Sequence, residues 1–527
     1  AEDIYRKMVA EGAKNHIVFG NLSVMCMMRG EYRESTTLLR ESIQINPNYP
    51  DSHNNLGLAL KEQGDLSGAI ASYIRALEIN PNYASAYNNL GIALKEQGDI
   101  NEAINCYKTA LRLNPDYTEV LNNLGNALCQ QGDLNASIAF LSKAIKLKPN
   151  YPQAHINLGN ALKEQGDLSA AITSYNNAIQ NEPENLEAYN RLGLAHLERG
   201  DHTEAINSFN NAIQLNFYHV DSHINLGNAQ TAQGDLAAAI TTYKTALKIK
   251  PDNPIVYNNL GAALNEQGEL DTAMECCQKA VELKPNCSDF QNNLGNVHKM
   301  KGNIKAAISS YENALKIQPD NYNALNNLGL ALDEQGETDA ATACYDKALQ
   351  LSPNDPKIHN NLGIAIHEKG DQDAAIAACR TALKLDPNFA QAYINLGNAL
   401  YKQGKHSEAT DAYNKALQLE PNNPAPYNNL GLLLYEQGNQ TGAIANYKKA
   451  IEIKPDFPEA HNNLGNALKD TGDIAAAFNS FNQALKLKPN YPTAYINLGN
   501  AFKDKGDLAA AITNYKAALQ IKQQNPD

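Results

Sequence analysis

The chain has 527 residues, with 44 lysines and arginines against 57 aspartates and glutamates for a net charge of -13, eight cysteines and no tryptophan. A modest acidic excess without a basic tract argues against nucleic acid as a partner, because phosphate neutralisation needs clustered lysine and arginine. No run of about eighteen apolar residues is present to insert in a membrane, and no charged-then-apolar leader opens the chain.

Residues 1–15 read as the second helix of a repeat whose first helix is missing, since Ala1 and Tyr5 lie two periods before Ala69 and Tyr73. Residues 16–49 read as one divergent repeat, with Ser23 at the glycine position and Gly30 at its turn. From residue 50 the pattern becomes strict: Leu-Gly recurs every 34 residues, fourteen times, from Leu56-Gly57 to Leu498-Gly499, with no insertion. Such a period marks a stacked-repeat architecture and leaves almost no sequence for a separate catalytic domain.

Within the block from Pro50 to Tyr83, His53, Leu56, Gly57 and Leu60 share one helical face. Gly64-Asp65 breaks that helix, Ala69, Tyr73, Ala76 and Leu77 form a second apolar stripe, and Pro81 closes the unit. Seven units also carry proline at the start of the first helix, Pro152 and Pro254 among them, where a missing N–H is tolerated. Gly57 and Ala69 are expected where the helices of a hairpin approach closely, and Ala76, alanine in every repeat through Ala518, where the next hairpin stacks. A bulky residue there would cost about 1–3 kcal/mol by overpacking.

The predicted fold class is all-α: about fifteen helical hairpins plus an N-terminal half hairpin, with no strand. Residues 50–522 form fourteen consecutive repeats and residues 523–527 a polar tail. No further capping helix is apparent, so the chain reads as a segment of a longer protein with apolar surface open at its ends.

At about 100° per residue, the first-helix face opposite the core stripe carries a regular polar position. It is asparagine in thirteen of fourteen repeats: Asn55, Asn89, Asn123, Asn157, Asn225, Asn259, Asn293, Asn327, Asn361, Asn395, Asn429, Asn463 and Asn497, with Arg191 the exception. Asparagine is about half a kcal/mol or more worse than alanine inside a helix, so propensity does not explain it. An amide's donors and acceptor match the alternating N–H and C=O of an extended peptide, which makes these residues a candidate peptide-binding groove. The alternative, compatible with the first, is that each amide bonds to the neighbouring repeat and aligns it. The groove reading expects the amides to stand largely free of core contacts. Alanine at Asn259, Asn293, Asn327 and Asn361 together would then leave stability nearly unchanged.

A second pattern lies beside the first. Where isoleucine precedes the ladder residue (Ile156, Ile224, Ile394, Ile496), asparagine stands four residues later (Asn160, Asn228, Asn398, Asn500). Where asparagine precedes it, the later residue is often apolar, as at Leu58, Ile92, Leu194, Leu330, Ile364 and Leu432, and is expected to pack against the adjacent repeat.

Leu-Gly in the first helix, alanine and an aromatic in the second, and a closing proline together resemble the tetratricopeptide repeat over nearly the whole chain. The tryptophan of that family is absent; Tyr87, Tyr189, His223, Tyr257 and His461 stand at its position. The resemblance implies a right-handed superhelix, an α-solenoid, whose groove is formed mainly by first helices. Runs such as Tyr87-Asn88-Asn89-Leu90-Gly91 and Asn160-Ala161-Leu162-Lys163-Glu164-Gln165-Gly166 resemble the repeat region of the O-linked N-acetylglucosamine transferases. That resemblance implies an asparagine ladder gripping substrate backbone at the thirteen positions, interrupted at Arg191. The catalytic domain of that family is not in these residues. Repeats this uniform also resemble those of bacterial adaptors and of arms on sulfotransferases and glycosyltransferases.

No nucleophile, base, metal-ligand or phosphate-loop constellation rises above its structural reading, so no enzymatic turnover, cofactor or metal is expected. Cys106, Cys276 and Cys344 share one repeat position and Cys277 and Cys379 the next, which reads as small buried residues and suits a reducing cytoplasm. A redox or metal role for the vicinal Cys276-Cys277 is the weaker alternative. Five histidines, His53, His155, His223, His359 and His461, replace tyrosine at a packing position. The repeat from Leu186 to Asp221 is irregular, with Arg191, His196 and Phe217-Tyr218-His219 in place of the usual residues; it reads as local drift that bends the superhelix, with a special ligand contact the weaker alternative. The leading functional reading is a protein–protein interaction scaffold holding an extended polypeptide. One alternative is the substrate-recognition arm of a glycosyltransferase or sulfotransferase whose catalytic domain lies outside this chain. Another is a structural rod that forms homo-oligomers through its open ends.

Overall fold

Each Gly-Asp pair ends one helix and starts the next. Gly64 adopts φ 84°, in the left-handed region open to glycine. Asp65 then caps the second helix, its carboxylate accepting the Gly68 N–H at 2.9 Å. The helices on either side run Pro50–Glu62 and Leu66–Ile79, with Pro50 in the first turn. The computed structural model describes residues 1–524 and holds 31 α-helices in this pattern, with no strand among the described residues. That is the number required by a half hairpin followed by fifteen hairpins. Gln523 and Gln524 belong to the last helix, Leu508–Gln524, while Asn525, Pro526 and Asp527 of the expected polar tail lie outside the described residues.

The helices form two compact units, Ala1–Gln267 and Gly268–Asp527. The first holds helix Glu2–Ala10, seven hairpins from His16–Met28 through Leu236–Ile249, and helix Pro254–Gln267. The second holds helix Leu270–Leu283 and seven hairpins from Ser288–Met300 onward. Within each unit every second helix packs on the first helix of the next hairpin. First helices of successive hairpins touch one another, whereas second helices do not. First helices therefore crowd the inner side of each unit and line its concave face. No described helix is long and apolar enough to cross a membrane.

The core contact inside a hairpin joins the Leu-Gly glycine to the second-helix aromatic. A Cβ on Gly57 would fall 2.5 Å from Cε1 of Tyr73, and one on Gly397 2.5 Å from Cε1 of Tyr413. Tyr73, Tyr107, Tyr175, Tyr311 and Tyr345 are all fully buried. Leu141 fills the same place against Gly125, and the smaller Cys379 does so against Gly363 with Sγ at 2.8 Å. At the start of the chain, helix Glu2–Ala10 is held to its neighbours by charge: Arg6 pairs with Glu2 and Glu34, and Arg29 with Glu2 and Glu31.

Gly397→Ala is expected to destabilise its hairpin by about 1–3 kcal/mol, because the rigid Tyr413 ring cannot yield. Gly363→Ala should cost less, since it meets the single sulfur of Cys379. Hydrogen exchange of the two hairpins checks the order, and equal losses would contradict it.

Candidate functional site

The thirteen ladder asparagines lie on the concave side of the first helices. Asn157 is buried and the other twelve are half-buried. Most of their amides bond to the preceding repeat. Nδ2 of Asn89 donates to Oδ1 of Asn54 at 3.0 Å, and that of Asn123 to Asn88 at 3.0 Å. Asn157 donates to Asn122 at 2.8 Å, Asn361 to Asn326 at 2.9 Å and Asn395 to Asn360 at 2.8 Å. Asn463 and Asn497 donate to Asn428 and Asn462 at 3.0 and 2.9 Å. Each acceptor is the residue just before the ladder position of the preceding repeat, and most of these are buried, Asn360 and Asn462 at 3% exposure.

This corrects the expectation that the amides stand largely free of core contacts, since most of the acceptors are buried. The bond from repeat to repeat is the geometry present. It also reverses the expected result of alanine replacement. Alanine at Asn361 gains about half a kcal/mol in helix propensity. It loses a bond worth about 0.5–1.5 kcal/mol to the half-buried Asn326, so the net result is a modest loss of stability.

The isoleucine–asparagine pattern now has a cause. Where Ile224 or Ile394 removes the usual acceptor, the ladder amide turns to the asparagine one helical turn on. Asn259 donates to Asn228 at 2.9 Å and Asn429 to Asn398 at 2.9 Å. Asn327, offered both acceptors, bonds Asn292 at 2.9 Å and Asn296 at 3.1 Å. The same second acceptor also takes the buried tyrosine hydroxyl. Tyr175, Tyr243, Tyr311, Tyr413 and Tyr515 donate to Asn160, Asn228, Asn296, Asn398 and Asn500 at 2.7–2.9 Å. Where that position is apolar, Leu58, Ile92, Leu194 and Leu330 pack beside the core clusters. The hydroxyls of Tyr73, Tyr107 and Tyr345 are then buried without a partner.

Two concave wells open at equivalent places in the two units. One, about 410 Å³, is lined by Asn228, Thr231, Tyr243, Asn259, Ala262 and Glu266. The other, about 320 Å³, is lined by His367, Asn398, Tyr401, Lys402, Asn429 and Leu432. In both, a ladder amide and a tyrosine hydroxyl share one asparagine oxygen, so the floor is polar and rigid while the rim varies.

The remaining singled-out residues have structural partners. The five histidines each place Nε2 within 3.0 Å of the carbonyl six residues earlier, at Pro47, Pro149, Phe217, Pro353 and Pro455. They therefore fasten the exit loop to the next helix. Arg191 is exposed and pairs with Glu187 at 3.5 Å along its own helix, so it does not extend the ladder. At the next rung Ser222 donates to Asn190 at 3.0 Å in place of an asparagine amide. Burial pushes the Cys277 and Cys379 thiols up to about 12 and Cys106 to about 11, which keeps them protonated and unreactive. Cys26, Glu31 and Glu34 gather near one another, but Arg6 and Arg29 already pair with these two acids.

Tetratricopeptide-repeat families match residues 25–64, 57–98, 93–129, 125–166 and 227–268, and also 156–216, 254–287 and 286–354. The C-terminal domain of cilia and flagella-associated protein 70 matches residues 321–527. No curated protein matches the chain. Among solved structures, the crystal structure of the APC/C hetero-tetramer Cut9-Hcn1 is similar with TM-score 0.60 at 15% identity, covering 94% of this chain and 98% of that one. The structure of Naa15/Naa10 bound to HypK-THB aligns at TM-score 0.35 and 16% identity, over 97% and 94% of the two chains.

Asn398→Leu removes an acceptor shared by Tyr413 and Asn429, with an expected loss of about 1–3 kcal/mol. Adding Ile394→Asn restores the acceptor one turn earlier, as in other repeats, and should recover part of that loss. Thermal melting of the single and double variants checks the coupling; strict additivity would contradict it.

Proposed function

The chain belongs to the tetratricopeptide-repeat family, and from that premise we propose that it is a protein-interaction scaffold whose asparagine-lined faces hold an extended polypeptide. One observation carries the reading. At Asn89, Asn123, Asn361 and Asn497 the amide gives one bond to the preceding repeat while the side chain stays half-exposed. A second N–H and a carbonyl oxygen remain for a backbone running along the face. Because these amides are already tied down, a bound segment meets preorganised partners and orders few side chains. Repeats spanning the chain support a non-catalytic role. The similar Cut9-Hcn1 assembly is a hetero-tetramer, in keeping with a fold used to hold other chains.

The test leaves the protein untouched. Peptides that bind the full chain on an array are resynthesised with backbone N-methyl groups, and affinity is read by fluorescence anisotropy. Each methyl group facing the ladder should weaken binding by about 0.5–1.5 kcal/mol, while exchange of most side chains does little. Binding that ignores N-methylation would reject a backbone-reading ladder.

A further inference from the structure

Along the concave faces, the fourth residue after the core glycine repeatedly reaches the fifth residue after the next glycine. Lys61 meets Glu96 at 3.4 Å, Lys163 meets Glu198 at 3.1 Å, and Lys469 meets Asp504 at 3.7 Å. In two more repeats a hydroxyl replaces the ammonium: Tyr401 donates to Glu436 and Tyr435 to Asp470. Each of these pairs sets a donor against a carboxylate. In the second unit, Asp333 and Glu368 occupy the same two positions. The donor is replaced there by a second acid.

Two orphaned polar atoms lie at this place. Oδ1 of Asp333 is buried with no hydrogen-bond partner, and so is the hydroxyl of Tyr345, whose side chain is fully buried. The Tyr345 ring is wedged against Gly329, where a Cβ would come within 2.6 Å of Cε1. In the repeats of Tyr311 and Tyr413, a ring so placed sends its hydroxyl to the residue after the glycine, Asn296 or Asn398. Here that residue is Leu330, which accepts nothing, and Asp333 stands one turn further along the same face. The charges of Asp333 and Glu368 both act on this hydroxyl, which places the three groups near one another. Burial pushes the Asp333 carboxyl up, offset in part by Thr338, and burial together with Asp333 pushes Glu368 up, offset in part by His367. The neighbouring His367 turns its Nδ1 to Gln372 at 2.5 Å instead.

We propose that Asp333, Glu368 and the Tyr345 hydroxyl form a well for an ammonium or guanidinium, supplied by a lysine or arginine side chain of a segment lying along the asparagine-lined face. An ammonium has three donors for these three oxygen groups, and it would stand where Lys61, Lys163 and Lys469 place their own. The well rests on the groove reading and adds to it a specificity that a backbone-reading ladder lacks.

The experiment uses the full chain and two fluorescein-labelled peptides, identical except that one carries lysine and the other norleucine, chosen from sequences that bind on the array. The lysine peptide should bind about five- to tenfold more tightly, as a partly desolvated ion pair requires. Asp333→Asn and Asp333→Lys should each erase that difference and leave the norleucine peptide unchanged. Equal affinity of the wild-type chain for both peptides would overturn the well, as would a preference that survives Asp333→Asn with Glu368→Gln. If neither peptide binds, the groove reading falls and melting decides the well. Asp333→Lys melting above Asp333→Asn shows that the gap accepts an ammonium, and melting at or below it overturns the proposal.

Discussion

In each hairpin the aromatic ring of the second helix occupies the space where a first-helix side chain would have to begin. At Gly159 a Cβ would lie only 2.4 Å from Cε1 of Tyr175, so no other residue permits this ring and this helix spacing together. The contact sets the distance between the two helices. It also carries the tyrosine hydroxyl past the glycine to the concave face, where a polar atom now sits at the edge of the core. In five repeats an asparagine on that face supplies this hydroxyl with a partner.

Asparagine meets that need in one class of repeat and leaves it unmet in the other. Asn398 takes both the Tyr413 hydroxyl and the Asn429 amide, closing a link between one hairpin and the next. Asn428 supplies the equivalent link upstream of Asn463, and the same device recurs through each unit. Bonds of this kind are each worth about 1 kcal/mol, but stranding one partner costs more than the bond contributes. The ladder therefore couples neighbours in the manner of a one-dimensional chain, in which each hairpin is stabilised chiefly by the two beside it. An amide that holds the rungs in register is also an amide held still for a ligand, so alignment and recognition are not competing roles.

Departures from the repeat are informative because the surrounding pattern is so regular. Arg191 folds back on Glu187 and leaves one rung to Ser222, a local repair. Asp333 has no such repair, since its buried Oδ1 finds no partner. Local rules broken without compensation tend to mark places where something else completes the site.

The sequence by itself determined the helical hairpin, its length and its stacking. The 34-residue period, the Gly64-Asp65 type of turn and the closing prolines are local signals, and nearest-neighbour packing leaves them little freedom. It also showed that asparagine recurs where propensity disfavours it and that Ile394 travels with Asn398. What it could not decide was where an amide points, because a half-buried side chain has several rotamers and its partner lies 31 or 35 residues away on another helix. Only the stacked structure brings Asn429 to Asn398 and Asn395 to Asn360. Periodicity fixes which residues share a face, but the partner of a polar atom is settled by distances between helices, and those exist only once the hairpins have packed.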